Sequence, residues 1–529
     1  DGKAIRNWSY AYDRAENDVQ NVCEAGYMYH DRKMGAGDAV EYELSIRDFG
    51  WNNTTEPRAY VRYDAYINSP NRHNLAVAVE GDVTVDAKRN DATPSNATPT
   101  RNYVEAAPNS YISLKETANR PLQDVSFKLS IGLPASFDGS YMAVDRAYVF
   151  YPRVNRMHSD ESELMMMMAK RDFINQNFTI DNTGDDLVIW NVTKPLNVLS
   201  YQYVYSPETR TATACYGAQY RDSQQRLVAF NISTPHRKPR YAGTVANQNL
   251  HGHDTPDILI VSTASLLDGA EELGALHRAQ GLDVVVATQD EIFNEFAVGT
   301  RTPAAVHRMA KMFYDREPGR LRHIVLYGNC TWDIRFIQHE RSDALISLVA
   351  ENYEQSRDVA ASYVSDLYFG MLADDYDHSY IWKMPAQVSV GRMPVTSLSV
   401  AAVVNDKVRR YLASPPPVAS ALRIIKYSDD GDNGQHFTNS ELVGEALLEN
   451  PLYTVFRGDV LFYPHHQARF PGAEKIIDNT LTRGAGFFHY TGHSTSSSTT
   501  AENVWNANRS QNLEFDYPSF GLFSSCDTY

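Results

Sequence analysis

Up to about residue 245, apolar positions alternate with polar ones in short runs, at Ala39–Ile46, Arg58–Ile67, Asn74–Val85, Gln123–Ile131 and Tyr141–Tyr151. Further runs follow at Asp186–Val192, Val198–Tyr205 and Leu227–Asn231. A period of two, bounded by Gly, Pro, Asn and Asp clusters, is the pattern of strands that bury one face. The spacing predicts a β-rich region, 1–245, of one or two sandwich-like subdomains with a boundary near 140–160. The polar stretch 86–100 reads as a mobile loop, and Met165–Met168 as an adaptable core patch.

Near residue 255 the pattern changes. Apolar runs of strand length at Asp257–Ser262, Leu282–Thr288, His323–Tyr327, Gln387–Val390, Leu422–Tyr427 and Leu452–Phe456 alternate with helical periodicity. The predicted helices are Leu266–Gln280, Thr302–Tyr314, Ser397–Leu412, Ser440–Leu448 and Ala473–Arg483. Strand–helix alternation predicts a mostly parallel sheet with right-handed crossovers. The fold class is therefore multidomain: a β-rich N-terminal region followed by an α/β domain over 255–529. Two last strands close the chain, one running into Gly492-His493 and one into Cys526. Cys526 comes so near the end that the α/β domain is expected to be C-terminally incomplete.

Composition narrows the possibilities. A chain of 529 residues is too long for one core. Its net charge of −16 argues against nucleic acid as a partner, because phosphate rewards a basic footprint. The four cysteines, Cys23, Cys215, Cys330 and Cys526, show no metal-binding spacing. No apolar run is long enough to span a membrane as a helix. No signal-peptide pattern opens the chain, which suits a mature or excised piece as well as a cytosolic protein.

Strand ends in a parallel sheet are where reactive side chains gather. Cys526 is the candidate nucleophile and His493 the candidate general acid/base, since a nearby imidazole helps a thiol become a thiolate. His489, four residues earlier, shares that face of its strand but lies inside it, and His436 is a second competitor. Glu502 and Asp366 lie in stretches that resemble blocks of known cysteine peptidases, and on that resemblance are the candidate orienting acids. The backbone N–H groups of Cys526 and of the turn from Gly492 to Ser494 are the candidate oxyanion donors. Asp429, Asp430 and Asp432, around Gly431, have the clustered oxygens of a calcium loop but lack the full EF-hand pattern.

Tyr490-Thr491-Gly492-His493 with Cys526 resembles the gingipain-type cysteine peptidases, whose fold is caspase-like. Leu326–Asp333, Tyr363–Gly370, Val390–Val395 and Ser428–His436 are similar to further blocks of that family. Asn329, Cys330 and Ser494 depart from its pattern. Ala147–Arg153, Val188–Thr193 and Asn247–His251 resemble its sortase branch, which serves the type IX secretion system. That resemblance implies a cysteine peptidase/transpeptidase at the outer-membrane cell surface. It would cut the C-terminal sorting domain from secreted cargo and join the new end to an anionic lipopolysaccharide, through an acyl-enzyme. Implied partners are the cargo, that acceptor, a PorV-like outer-membrane barrel and other attachment-complex proteins. No cofactor is implied for the chemistry, and structural calcium is an expectation. Asp432 or Asn433 falls nearest the aspartate by which relatives select arginine. The alternatives are a secreted gingipain-like endopeptidase, and a surface scaffold with a non-productive dyad.

Overall fold

The computed structural model describes all residues except 1–4, 23–28, 51–58, 70–72, 82, 88–90, 93–101, 106–109, 115–123, 169–176, 217–223, 237, 339–343, 347–364, 376–383, 460–470, 496, 501–502, 516 and 526–529. Cys526, Cys23 and Glu502 thus lie outside the described residues. The chain forms two compact units, Asp1–Ala264 with Ala287–Arg392, and Ser265–Val286 with Met393–Tyr529.

In the β-rich part, Ala39–Ile46 alternates buried and exposed along its whole length. It pairs antiparallel with Val125–Gly132, which also pairs with Ala76–Gly81. The inward side chains Tyr42, Leu44, Phe127, Leu129 and Ile131 meet Val61, Tyr63, Val144 and Val149 from a ten-stranded sheet. Two sheets thereby share one core, as the alternation predicted. That sheet continues into a second core, where Leu164, Met166, Met168, Leu187, Ile189, Leu227 and Ala229 pack against Phe178, Ile180, Ala212 and Ala214. The methionine run is the strand Leu164–Met168. Of the stretch read as a mobile loop, the described parts belong to the strands Val83–Ala87 and Asp91–Ala92.

The parallel strands form two four-stranded sheets. In one, Ile258–Ser262 runs parallel to His323–Tyr327, with Val284–Thr288 and Ser389–Met393 outside them. In the other the order is Thr454–Arg457, Arg423–Ser428, Phe487–Thr491 and Phe520–Ser524, all parallel. Ile425, Tyr427, Phe488 and Tyr490 are buried there against Ala473, Ile477 and Leu481, from the helix Pro471–Thr482. The helix Gln435–Leu448 begins five residues before the predicted start, because Gly434 adopts a left-handed conformation (φ 76°) just ahead of it. This puts His436 in the first turn of a helix rather than in a loop.

Among the described residues, no helix is long and apolar enough to cross a membrane.

Candidate functional site

The register of the second sheet decides what meets at its edge. Ser428 pairs with Thr491, and Thr491 with Ser524, so three adjacent strands end level. Asp429, Gly492-His493 and Ser525 are the next residues along each strand. Chain connectivity puts Cys526 one residue beyond Ser525.

His493 stands on a firm base. The Tyr490 phenol is fully buried and donates to the His493 carbonyl oxygen. The Thr500 N–H donates to the Tyr490 Oη at 3.1 Å and to that same carbonyl at 3.1 Å. Gly492 has no room for a side chain: a Cβ would lie 2.4 Å from the Asp429 Cβ and 2.5 Å from the Tyr490 Oη. The backbone must pass this close for His493 to leave the strand where it does.

The segment after Asp429 folds over the histidine. Asp432, Asn433 and Gly434 hold φ values of 56°, 56° and 76°. For the two residues with a Cβ this costs about 1–2 kcal/mol each. The bend brings the Asp432 Oδ2 to 3.2 Å from the His493 Nε2 and 3.1 Å from the His436 Nε2. The two imidazoles meet edge to face, with centroids 4.8 Å apart. The His436 Nε2 is buried and makes no hydrogen bond among the described residues, because the nearby Asp432 oxygen is out of line. Asp429, 3% exposed, accepts from the His493 N–H at 3.4 Å and from the Asp430 N–H at 3.0 Å.

The profile of peptidase family C25 matches residues 251–529, which is 279 of 529 residues and more than half of the chain. The chain belongs to peptidase family C25. Its fold is similar to that of dimeric latent PorU from Porphyromonas gingivalis, with a TM-score of 0.61 at 20% identity. That match covers 83% of this chain and 43% of the PorU chain, so this chain spans less than half the relative's length. The Arg-specific cysteine proteinase gingipain R matches with a TM-score of 0.37 at 14% identity, over 53% of this chain and 57% of that one. No curated protein sequence matches. C25 members are cysteine peptidases by family, and the β-rich region followed by parallel sheets is the expected gingipain-like arrangement.

Within this C25 domain the expected site residues fare differently. The carboxylate that faces His493 is that of Asp432. Asp366 is instead held by the Arg392 Nε and NH2 at 2.8 and 2.7 Å. The expectation that Gly492 donates to an oxyanion needs correcting: its N–H is spent on the Ser524 carbonyl at 3.2 Å, a continuation of the strand ladder. The His493 N–H is likewise taken, by Asp429. Ser494, the residue after His493, donates from its Oγ to the Ser525 Oγ at 3.0 Å. It thus ties the histidine turn to the residue next to Cys526. Asn433 supplies one of the left-handed turns that carry Asp432 inward. His489 is buried inside its strand, and burial pushes its pKa down, with the Lys426 charge adding to the shift. A buried imidazole held neutral in this way is poorly suited to the acid/base role.

The calcium expectation can be set against the same geometry. Asp429, Asp430 and Asp432 do not bring three carboxylate oxygens together; the convergent donor set is Asp429 with His436 and His493. Two imidazoles do not suit a hard cation that takes oxygen ligands, so the residues present do not fit calcium here.

The sequence reading passed over the Lys426 cluster beneath the sheet end. The Lys426 ammonium is fully buried, 3.0 Å from the Asp459 Oδ2 and 2.5 Å from the Glu441 Oε1. Asp459 also accepts from the Ser428 Oγ at 2.8 Å. A lysine inside the strand Arg423–Ser428, which is buried along nearly its whole length, was the available signal, since an unpaired ammonium is not buried at such a place.

Proposed function

We propose that this chain carries the acyl-transfer centre of a type IX secretion sortase, with Cys526 as nucleophile and His493 as general acid/base. The Cys526 thiolate adds to the carbonyl carbon where cargo joins its C-terminal sorting domain. The C–N bond breaks as His493 gives a proton to the leaving amine, and the cargo is left as a thioester. An amine on an anionic lipopolysaccharide then attacks that thioester. His493 takes the amine's proton, and the C–S bond breaks to release the lipid-linked cargo. Asp432 is a positioning residue that holds the imidazole, its Oδ2 3.2 Å from the His493 Nε2.

The observation that supports this reading is the level ending of Arg423–Ser428, Phe487–Thr491 and Phe520–Ser524, with the Ser494–Ser525 hydrogen bond joining the last two strand ends. Family membership supports the peptidase chemistry. The sortase assignment, the outer-membrane surface and the PorV-like barrel and other attachment partners belong to the proposal.

Mass spectrometry of cargo C-termini tests it. Wild type should yield cargo lacking its sorting domain and joined to lipid-linked sugar. Cys526→Ala should leave the sorting domain in place. Free cargo carboxylates from wild type would make the protein an endopeptidase. Failure of a thiol-directed acylating probe to label Cys526 in the complete protein would leave the scaffold.

A further inference from the structure

We infer that Asp429, His436 and His493 form a Zn2+ site whose occupation takes the general base out of service. The regulatory part rests on the assignment of His493 above; the binding site itself does not.

One ligand atom from each of these three residues lies within 4.8 Å of the other two, the only such group of three among the described residues. Tetrahedral zinc, with bonds of about 2.0–2.1 Å, holds its ligand atoms about 3.3 Å apart. No pair would therefore have to close by more than about 1.5 Å. His493 can make that movement, since its side chain is 59% exposed. The other two ligands are preset. Asp429 is buried and oriented by the N–H groups of Asp430 and His493. The Nε2 of His436 is buried and makes no hydrogen bond among the described residues, its nearest partner being the Asp432 Oδ2 at 3.1 Å, so a metal would give its lone pair a well-directed partner.

The donor chemistry selects the metal. Two imidazoles and one carboxylate suit zinc, whereas calcium and magnesium take oxygen. Three protein ligands also leave a fourth position. The Asp432 Oδ2, 3.1 and 3.2 Å from the two Nε2 atoms, already sits at the separation that ligands of one zinc ion adopt. An imidazole bound to zinc has given its lone pair to the metal and cannot accept the thiol proton. Occupation would therefore switch off the dyad without touching the sulfur.

The test uses the full chain carrying Cys526→Ala, so that the thiol cannot serve as a ligand. Zn2+ is titrated at pH 7.5 against a chelating dye, with Ca2+ as competitor. One zinc per chain with a Kd of about 1 µM or tighter is expected, unaffected by millimolar Ca2+. His436→Gln and Asp429→Asn should each weaken binding by about tenfold or more, with thermal melting confirming that both fold. Unchanged affinity in His436→Gln, equal competition by calcium, or no binding would overturn the site. In the chain with Cys526 intact, zinc should slow labelling of Cys526 by iodoacetamide, and His436→Gln should remove that protection. Protection that persists in His436→Gln would mean zinc acts on the thiol directly, which overturns the switch. Because the titration needs no peptidase activity, a failed sortase assay and a failed metal site remain distinguishable.

Discussion

Two polar constellations in this chain look alike as sequence blocks and differ as structure. In the first unit, Arg392 grips both oxygens of Asp366 and donates to the Gly328 carbonyl at 3.0 Å. Three family-like blocks are stitched together by one guanidinium. Asp333 behaves in the same way: it is fully buried and accepts from the Tyr29 hydroxyl at 2.8 Å and from the N–H groups of Ile337 and Gln338. At the strand ends of the second unit, by contrast, His493 is exposed and the His436 Nε2 makes no hydrogen bond among the described residues. A structural cluster closes on itself; a site for chemistry keeps side chains open. The difference implies that mutations in the first cluster cost stability, and mutations in the second cost activity.

The largest effect sharpens the second half of that comparison. His493→Ala should lower cargo processing by about 10³-fold or more while leaving the melting temperature within a few degrees. Processing rates beside a thermal melt decide it; a collapse in stability would make His493 a structural residue. Next comes the Lys426 cluster, which shares the second unit but closes like the first. Lys426→Met leaves Asp459 charged and buried, and should cost about 3–5 kcal/mol in urea unfolding. Lys426→Met with Asp459→Leu should recover most of it. Arg392→Ala, in a cluster nearer the surface, should cost about 2 kcal/mol. Activity loss without destabilisation there would break the comparison.

Much of this architecture is legible from periodicity. The strand His323–Tyr327 falls at its predicted ends, and the alternation in Ala39–Ile46 is the burial pattern itself. What escaped did so for physical reasons. The helix Gln289–Ala297 starts directly on the strand Val284–Thr288, with Thr288 as its N-cap and Glu291 completing a capping box. The Thr-x-x-Glu signal was present, but no loop separates the two elements. Asn247–His251 resembled a family block without declaring a role. It clamps Glu295, which accepts from the Leu250 N–H at 2.7 Å and the Gln248 Nε2 at 3.0 Å. The meeting of Asp432, His436 and His493 depends on the register between distant strands and on a left-handed bend. Neither leaves a local pattern that a single sequence can display.

A smaller effect tests the closed character of the β-rich unit. His30 is fully buried, and burial pushes its pKa down from 6.5 to about 4. The unfolded chain then takes up this proton first as pH falls. The stability that the neutral imidazole permits is present above about pH 6.5, and is lost as pH drops towards 4. Urea unfolding at pH 7.5, 6 and 4.5 should show a decline that His30→Phe reduces. An undiminished decline in the variant would assign it to other groups.

The smallest effect concerns Ser494, the residue that follows His493. Ser494 reaches the Ser525 Oγ at 3.0 Å, so it couples the two strand ends whose separation sets the distance from imidazole to thiol. A neutral hydrogen bond of this kind is worth about 1 kcal/mol, and losing it frees backbone rather than exposing a charge. Ser494→Gly removes that tie. It should slow processing by about threefold to tenfold through kcat, with little change in KM or stability, because the tie positions the reacting groups without binding cargo. An unchanged kcat would show that the two strand ends are held by the sheet alone, and that the open site is as rigid as the closed cluster.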